Sequence, residues 1–474
     1  MPRMLVSAAH KSSGKTTISV GLCAAFRARG LAVQPFKKGP DYIDPIWLSQ
    51  ASGHACRNLD LYLMRRDEIE DIFAQHSAGM DVNLVEGNKG LYDGLALDGS
   101  NSNAELAKLL KLPVILVIDA RGMTRGIAPL ILGYQAFDRD IRIAGVILNQ
   151  LGGSRHESKL RAVVEHYTDV PVLGAVHHDA GLFVQERHLG LIPGNESEHS
   201  KAIIERMGQH MAAQVDLDRL LAMTAVADLG SDLTEKATSS VRSDPGLAVR
   251  IGIARDRAFG FYYADDLDAL VAAGATLVAF DTLGDSHLPQ VDGLYIGGGF
   301  PEMFAQDLAA NATLRNDLRR VLEGGLPAYA ECGGLMYLSR TLAAGGKTYP
   351  MVGIIPGDVV MHERPVGRGY VHLSEQPWHP WPRPRSPAQE IRAHEFHYSS
   401  LENLPPDTRY AFAVKRGHGI DGRHDGILVH NVLASYTHLR TIGSCYWATR
   451  FVAFVRQYRQ NLARQSQETL GAIQ

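Results

Sequence analysis

The sequence has few cysteines, no excess of basic residues and no long apolar run. Its four cysteines are scattered without a CxxC pair, which argues against a zinc or disulfide framework and favours a reducing, cytoplasmic compartment. The formal net charge of −3 provides no basic field for nucleic acid or an anionic membrane. Apolar runs such as LPVILVIDA fall well short of the roughly 20 residues that cross a bilayer, and no stretch typical of an export signal opens the chain.

The length of 474 residues exceeds one ordinary core, so two domains are expected. Six apolar stretches in the first half, separated by helical ones, are predicted as strands: MLVSAA, AVQPFK, VNLVEG, PVILVIDA, IAGVILNQ and VPVLGAV. Continuous apolar strands between helices are typical of a parallel sheet buried on both faces, so the pattern predicts a doubly wound α/β domain. Residues 224–247 have linker composition, and a second α/β pattern begins at Val249.

The stretch AAHKSSGKTTISVGL, residues 8–22, ends like a phosphate-binding loop but has Ala9 where the GxxxxGK(S/T) pattern begins with glycine. It lies between a predicted buried strand and a predicted helix, an order that directs backbone N–H groups and the positive helix end at one point. Lys15 and Thr16 could hold the β- and γ-phosphates and Mg²⁺ there. The alternative is a helix start that contains a GKT by chance.

Acidic residues follow the predicted strands near this loop. Asp41 and Asp44 come just after the second strand, Glu86 ends the third, and Asp93 follows it. Ligands of open parallel sheets bind beyond the carboxyl ends of the strands, so these acids are candidates for a metal–nucleotide site. The alternative is that Asp41 and Asp44 are turn residues beside prolines.

A second candidate site lies in the C-terminal half. The stretch PAYAECGGLMYL places Cys332 between an apolar strand and an apparent helix, where a sharp turn exposes a nucleophile and the helix N-terminus is expected to lower the pKa of a thiol. His438 is the candidate base, and the backbone N–H groups of residues 297–299 could receive an oxyanion. The alternative, a buried structural cysteine, is disfavoured by the adjacent Glu331 and two glycines.

The motifs PFKKGPDYIDP, EGNKGLYDG, PVILVIDARG, GVILNQ and ERHLGLIP together resemble the cobyrinic acid a,c-diamide synthase family over nearly the whole chain. The N-terminal half resembles dethiobiotin synthetase, and the C-terminal half resembles class I glutamine amidotransferases. The family's variant Walker A loop need not keep its first glycine, so Ala9 is no objection. The resemblance implies an ATP-binding amidoligase domain at 1–223, a linker at 224–247 and a glutaminase domain at 248–474.

The resemblance also implies roles for individual residues, ATP, Mg²⁺ and glutamine being the implied cofactors and co-substrate. The implied ATP-binding residues are Ser13, Gly14, Lys15, Thr16, Thr17 and Asn149, the last near the adenine. The implied Mg²⁺ ligands are Thr16, Glu86 and Asp41. The residues implied to read and activate substrate carboxylates are Asp41, Tyr42, Ile43, Asp44 and Asp93. In the glutaminase, Cys332 attacks the glutamine amide, His438 carries the proton, and the oxyanion hole consists of Gly298, Gly299 and Gly333.

Two features near the histidines depart from common patterns. Class I amidotransferases often have H-x-E, but this chain reads His438-Leu439-Arg440, so no acid at that position orients the histidine. The cobyrinic and cobyric acid synthetases likewise lack that glutamate, so a Cys–His dyad fits them. The segment AHEFHYS, residues 393–399, spaces its histidines by three and not by the four of HExxH, so structural support is favoured over metal ligation.

Together the two sites predict a glutamine-dependent amide ligase. ATP converts a carboxylate into an acyl phosphate, and ammonia released inside the protein stays unprotonated, so we expect it to pass between the domains. The family amidates the a and c acetates of a tetrapyrrole. ASYTHLRTIGS stands where the family often has ASYLHxHF. Cobyrinic acid and a siroheme-type substrate of dissimilatory sulfite reduction therefore stay open, with nickel-sirohydrochlorin as a further alternative.

Two rival functions come from other classes. A P-loop switch ATPase of the partitioning kind, with a decayed glutaminase domain, would have a signature lysine where this chain has His10. A non-catalytic glutaminase-like module would not need Cys332 and His438, and both are present. The expected partners are a tetrapyrrole and glutamine, without nucleic acid or membrane, and a homodimer is an open expectation.

Overall fold

The computed structural model describes residues 1–182, 186–187, 190–195, 199–226, 248–383, 390–442 and 445–471. The chain divides into two compact units, Met1–Ser240 and Val241–Gln474. Most of the predicted linker, residues 227–247, lies outside the described residues, so the domain limits stay a prediction. Within the described part of the chain, no helix is long and apolar enough to cross a membrane.

The first unit alternates strands and helices. Its strands are β1 (Arg3–Ala8), β2 (Val33–Lys38), β3 (Arg57–Leu59), β4 (Val82–Glu86), β5 (Val114–Asp119), β6 (Ile143–Leu151), β7 (Val172–His177), β8 (Glu186–Arg187) and β9 (Gly190–Leu191). Its helices are α1 (Lys15–Ala28), α2 (Ile43–Ser52), α3 (Arg66–Ser77), α4 (Asn103–Leu109), α5 (Ile127–Phe137), α6 (Ser154–Tyr167), α7 (Ser200–Gln214) and α8 (Leu217–Thr224). The six predicted strands are all present, and the short strands β3, β8 and β9 are additional.

Among the described residues, seven of these strands form one sheet in the order β3-β2-β4-β1-β5-β6-β7, with every neighbouring pair parallel. The central strand β1 is buried along its whole length, as its uninterrupted apolar sequence predicts. Because the strands are parallel, the loops that follow β1, β2 and β4 leave from the same edge of the sheet. The predicted doubly wound α/β fold is therefore confirmed.

The second unit contains more strands and fewer helices. Its strands are β10 (Val249–Ala254), β11 (Phe259–Phe261), β12 (Ala275–Phe280), β13 (Gly293–Ile296), β14 (Gly298–Gly299), β15 (Ala328–Glu331), β16 (Ser339–Ala344), β17 (Lys347–Pro350), β18 (Ile355–Met361), β19 (Gly367–Glu375), β20 (Ile391–His397), β21 (Ser399–Glu402), β22 (Arg409–Arg416), β23 (His424–Val429) and β24 (Val432–Ser435). Its helices are α9 (Ala264–Ala272), α10 (Ala305–Ala310), α11 (Ala312–Glu323), α12 (Gly333–Leu338) and α13 (Trp447–Gly471).

The main sheet of this unit is mixed, in the order β12-β10-β13-β15-β24-β23-β22-β19-β20. The pairs from β12 to β24 are parallel and those from β24 to β20 are antiparallel. Strand β15 lies at the centre beside β24, with Glu331 opposite Ser435. The α/β class predicted for this half is confirmed, although a smaller sheet of β17, β16, β18 and β21 was not foreseen.

Candidate active sites

The loop between β1 and α1 has a backbone that suits phosphate binding. Gly14 has φ 86°, in the left-handed region where a side chain is strained, and a Cβ there would also lie 2.2 Å from Asn149 Nδ2. The Ser13 hydroxyl donates to the His10 carbonyl at 2.9 Å, which holds the loop in its turn. Among the described residues, no side chain caps the start of α1, so its first N–H groups remain available for an anion.

Asn149 supports this loop from the neighbouring strand β6. Its side-chain nitrogen donates to the Ser13 carbonyl at 2.9 Å, and the residue is 4% exposed. The amide therefore fixes the loop next to Gly14. Its implied contact with the adenine stays a prediction.

Lys15 begins α1 and is buried. Burial, followed by the charge of Lys37, lowers the pKa of Lys15 to about 8, while the charges of Glu86, Asp44 and Asp93 act in the opposite direction. The nearby carboxylates thus do not fully offset the burial of the Lys15 ammonium and the positive charge of Lys37. A bound phosphate would supply that charge, which fits the predicted role of Lys15.

Carboxylates surround Thr16 at the edge where β2 and β4 end. The Thr16 hydroxyl donates to Glu86 Oε1 at 2.7 Å and lies 3.3 Å from Asp44 Oδ2. The Lys37 ammonium, from the end of β2, is 2.5 Å from Asp44 and 2.9 Å from Glu86. Three residues predicted separately are thus brought together, around a buried lysine that the sequence analysis did not single out.

Asp41 is engaged differently from Asp44. Its Oδ1 accepts the backbone N–H groups of Ile43 at 2.9 Å and of Asp44 at 3.1 Å, so it stabilises the first turn of α2, while Oδ2 lies 3.9 Å from Lys37 Nζ. The geometry therefore favours Asp44 over Asp41 as the carboxylate next to Thr16. Both assignments concern a ligand and stay predictions.

The oxygen atoms at this site suit a Mg²⁺ ion. Glu86 is fully buried, its Oε2 has no hydrogen-bond partner among the described residues, and burial raises the pKa of its carboxyl group. Such an orphaned carboxylate oxygen, beside the Thr16 hydroxyl and Asp44, is the donor chemistry that Mg²⁺ prefers together with water and phosphate oxygens. Because Mg²⁺ is usually held by only one or two carboxylates, the small donor set fits a metal–nucleotide complex.

The other predicted substrate residues lie around the same edge. Tyr42 directly precedes α2, and Ile43 is its first residue and is buried. Asp93 follows β4, accepts the Gly90 N–H at 3.0 Å, and its charge acts on Lys15. Thr17 follows in the first turn of α1. In the motif ERHLGLIP, residues 188–189 lie outside the described residues.

Cys332 occupies a strained turn between β15 and α12. Its φ of 47° and ψ of −101° place a non-glycine residue at positive φ, and its N–H donates to the Ser435 carbonyl at 2.7 Å. Burial raises the pKa of the thiol, while the Gly333 N–H acts to lower it. The N-terminus of α12 thus acts in the expected direction, but desolvation outweighs it, so the pKa of the thiol is raised overall and the thiol needs a base.

His438 follows β24 and is held on both sides. Its backbone pairs with His394, the two N–H···O distances being 2.8 and 3.4 Å. A Cβ on Gly298 would lie 2.7 Å from His438 Cε1, so the imidazole packs directly against this glycine. The base and the glycine-rich strand β14 are thus neighbours.

The predicted oxyanion-hole glycines also lie close together. A Cβ on Gly333 would lie 2.9 Å from the Gly299 nitrogen, and one on Gly299 would lie 1.9 Å from the Ala258 carbonyl oxygen. Only glycine fits these positions without movement of backbone. The arrangement brings the Gly299 N–H to the turn that carries Cys332, and its role toward an oxyanion stays a prediction.

Glu331 is the second residue that sequence reasoning missed as a site member. Its Oε2 lies 3.6 Å from His438 Nδ1, although no acid stands at the H-x-E position. The only sequence signal was its place directly before Cys332. The carboxylate meets His438 because β15 and β24 are adjacent strands.

The histidines of AHEFHYS support the fold. Glu395 accepts the N–H groups of His418 at 2.7 Å and Gly419 at 2.8 Å, and the His397 ring stacks on Tyr436 with centroids 3.9 Å apart. Within the described ranges, no group of three or more His, Cys, Asp or Glu side chains could by itself hold a metal ion. These contacts agree with the structural role expected of the segment.

The fold and the two sites define a P-loop nucleotide-binding domain followed by a glutamine amidotransferase domain. Residues 5–191 match the CobQ/CobB/MinD/ParA nucleotide binding domain, and residues 250–444 match the CobB/CobQ-like glutamine amidotransferase domain. The chain is thus a ligase with glutamine as amido donor.

Relatives resemble the chain along nearly its whole length. A cobyrinate a,c-diamide synthase from Magnetococcus marinus is 47% identical, over 96% of this chain and 98% of its own. Proteins of the same name from Methanosarcina barkeri and Archaeoglobus fulgidus are 41% and 40% identical, over 97% and 95% of this chain and 97% of each relative. The chain belongs to the cobyrinate a,c-diamide synthase family.

Proposed function

We propose that this protein amidates the a and c acetate side chains of cobyrinate, using ATP, Mg²⁺ and ammonia from glutamine. The observation that carries the proposal is the presence of both sites in one chain of this family: a P-loop whose Thr16 meets the incompletely paired Glu86, and Cys332 in a strained turn with His438 nearby. A P-loop site alone would not explain the Cys332 site, and a glutaminase site alone would not explain the P-loop.

The chemistry proceeds in two halves. In the first unit, a substrate carboxylate oxygen attacks the γ-phosphorus of ATP, the bond to the bridging oxygen breaks, and ADP leaves. Lys15 and the loop N–H groups hold the phosphates, Lys37 adds positive charge beside them, and bound Mg²⁺ would neutralise developing charge from a position beside Thr16, Glu86 and Asp44. Ammonia then attacks the acyl carbon, and phosphate leaves.

In the second unit, the Cys332 sulfur attacks the side-chain amide carbon of glutamine. His438 takes the thiol proton and returns it to the leaving ammonia, and the Gly298, Gly299 and Gly333 region receives the oxyanion. Water then hydrolyses the thioester and releases glutamate. Burial raises the pKa of the thiol, so the attack needs His438 to take the proton.

The remaining roles are proposals as well. Asp41, Tyr42, Ile43 and Asp93 lie at the edge where the carboxylates are read, Asn149 lies near the nucleotide, and ammonia passes from one unit to the other without release. The protein acts in the cytoplasm, without nucleic acid or membrane. A homodimer is supported by the exposed apolar side chains on α5, Leu132 at 43% and Phe137 at 76% exposure, and light scattering tests it.

Siroheme and sirohydrochlorin are the alternative substrates, favoured by the unusual sequence that follows His438. Mass spectrometry of products tests the choice, with cobyrinic acid, sirohydrochlorin, its nickel complex and siroheme offered in parallel with ATP and glutamine. A gain of two amides on cobyrinic acid alone supports the proposal. ATP turnover that ignores both glutamine and every tetrapyrrole would instead indicate a switch ATPase.

A further inference from the structure

We propose that Glu331 positions His438 for catalysis and replaces the acid that is missing from the H-x-E position. The inference rests on the proposed glutaminase activity of Cys332 and His438. Its starting point is the approach of Glu331 Oε2 to His438 Nδ1 at 3.6 Å, with both side chains buried. At this ion-pair distance the carboxylate favours the ring orientation in which Nδ1 faces the acid and Nε2 is left to serve the nucleophile.

The carboxylate is held rigidly. The Tyr295 hydroxyl donates to Oε2 at 2.8 Å and the Tyr329 hydroxyl donates to Oε1 at 2.6 Å. The two tyrosine rings stack with centroids 5.5 Å apart and planes within 9°, and Trp447 packs against both. This aromatic packing keeps water from Glu331, which is 1% exposed, so its charge acts on His438 with little screening.

Glu331 also binds the backbone beside the histidine. The Leu439 N–H donates to Oε1 at 2.9 Å, so one carboxylate fixes the chain after His438 and faces the imidazole. On the other side, the backbone of His438 pairs with His394. The positioning acid Glu331 ends β15, and the nucleophile Cys332 is the next residue, in the turn after the strand.

The residue at the usual acid position has the opposite charge. Arg440 is completely buried, its Nη2 lies 3.0 Å from Asp265 Oδ2, and its guanidinium carbon lies 4.4 Å from the centroid of the Tyr263 ring. Arg440 is thus directed to the α9 region and cannot replace the acid. The chain thus has no acid at position 440, and the end of β15 supplies a carboxylate near His438 instead.

Several other charged groups face this site and affect its pH dependence. His394 acts on His438 from β20, and its own pKa is lowered to about 3, chiefly by burial. Glu302 and Asp425 act on Cys332 together with Glu331. Glu331 lies within ion-pair distance of the His438 ring, so its removal is expected to have a distinct effect.

The test is Glu331→Gln in the full chain, with glutamate release measured in the presence of ATP and cobyrinate. We expect kcat to fall by about 10²- to 10⁴-fold, since an amide cannot fix the imidazole as a carboxylate does, with KM for glutamine within threefold. The acid limb of the kcat/KM profile should move to lower pH, because loss of the nearby negative charge destabilises the imidazolium. Glu363→Gln, on an exposed loop, is the matched control and should leave all of these values unchanged.

Ammonia-driven amidation separates positioning from general damage. It should be unchanged in Glu331→Gln, since that reaction does not use His438. A kcat for glutamine within tenfold of the native value, or an unmoved acid limb, overturns the inference. If the variant does not fold, Tyr295→Phe with Tyr329→Phe keeps the carboxylate but loosens it; a three- to thirtyfold loss in kcat supports the inference, and no loss overturns it. A native protein that releases no glutamate refutes the proposed function itself.

Discussion

Two buried glutamates, one in each unit, end a central strand of a sheet and differ in what surrounds them. Glu86 ends β4, and Lys37 and Thr16 both donate to its Oε1, while no residue in the described part of the chain hydrogen-bonds to its Oε2. Glu331 ends β15, and both of its oxygens accept hydrogen bonds from tyrosine hydroxyls or backbone. Two glutamates that each end a strand between parallel neighbours thus differ in how fully their oxygen atoms are hydrogen-bonded.

The difference separates a carboxylate suited to receive a cation from one suited to hold a neighbour in place. An unsatisfied, buried oxygen is costly, and a metal ion would compensate it. A fully hydrogen-bonded carboxylate packed between aromatic rings is rigid, as a positioning group must be. Ligand binding and residue positioning are thus distinguishable from the hydrogen bonds of one side chain.

The largest effect expected with both nitrogen donors comes from Lys15, the cation predicted to bind the phosphates. Lys15→Met should slow amidation with glutamine and with ammonia alike by about 10²- to 10³-fold or more, because the phosphates lose their buried counter-charge. Lys11→Met changes an exposed lysine of the same loop and is the matched control. Steady-state amidation rates with glutamine and with ammonia measure the effect. A variant impaired with glutamine alone would contradict the assignment of the ATP site to the first unit.

Glu86→Gln tests the cation-binding side of the comparison. The Mg²⁺ concentration that gives half the maximal amidation rate should rise by at least about tenfold, since a carboxylate ligand is lost. Titration of the rate with Mg²⁺ measures this, with Glu165→Gln on the exposed face of α6 as control. An unchanged requirement for Mg²⁺ would show that Glu86 does not face the ion.

Tyr329→Phe removes the hydroxyl that donates to Glu331 Oε1. The buried carboxylate of Glu331 would then be less completely hydrogen-bonded, as that of Glu86 is. Loss of a hydrogen bond to a buried charged group should lower the free energy of unfolding by about 1.5–3 kcal/mol. Urea unfolding monitored by tryptophan fluorescence measures the change, and Tyr446→Phe at a half-exposed position is the control. Equal stabilities of the two variants would remove the argument for a tightly held Glu331.

The smallest expected effect is the uptake of a fraction of a proton by Lys15 when ATP binds. In the free protein Lys15, with its pKa lowered to about 8, is half neutral at pH 8 and fully charged at pH 6. Bound phosphates favour the ammonium, so ATP binding should take up about half a proton at pH 8 and almost none at pH 6. Calorimetry in buffers of different ionisation enthalpy measures the uptake, which should vanish in Lys15→Met; release of protons would contradict the burial argument.

The sequence predicted what depends on local pattern. The apolar strands of the first unit, the loop before Lys15 and the turn at Cys332 all follow from neighbouring residues, and the structure has them at those positions. The short strand β3 and the small sheet around β16 lack a long apolar run and were missed. Periodicity and glycine placement thus identified the scaffold of both sites.

The two missed site residues, Lys37 and Glu331, depend on contacts between distant parts of the chain. Lys37 meets Glu86 from 49 positions away, and Glu331 meets Leu439 from 108 positions away. No spacing rule connects such pairs, because only the order of strands in the sheet brings them together. The net rise in the pKa of Cys332 was not predicted for a related reason: burial depends on the whole unit, whereas the helix N-terminus is visible in sequence.

The most direct test of a divided protein, with carboxylate activation in one unit and ammonia release in the other, is the Cys332→Ala variant assayed with each nitrogen donor. Glutamine-driven amidation of cobyrinate should be abolished, because the variant lacks the proposed nucleophile that attacks the glutamine amide. Ammonia-driven amidation should continue at the native rate. Equal loss of both activities would contradict the division of labour between the two units.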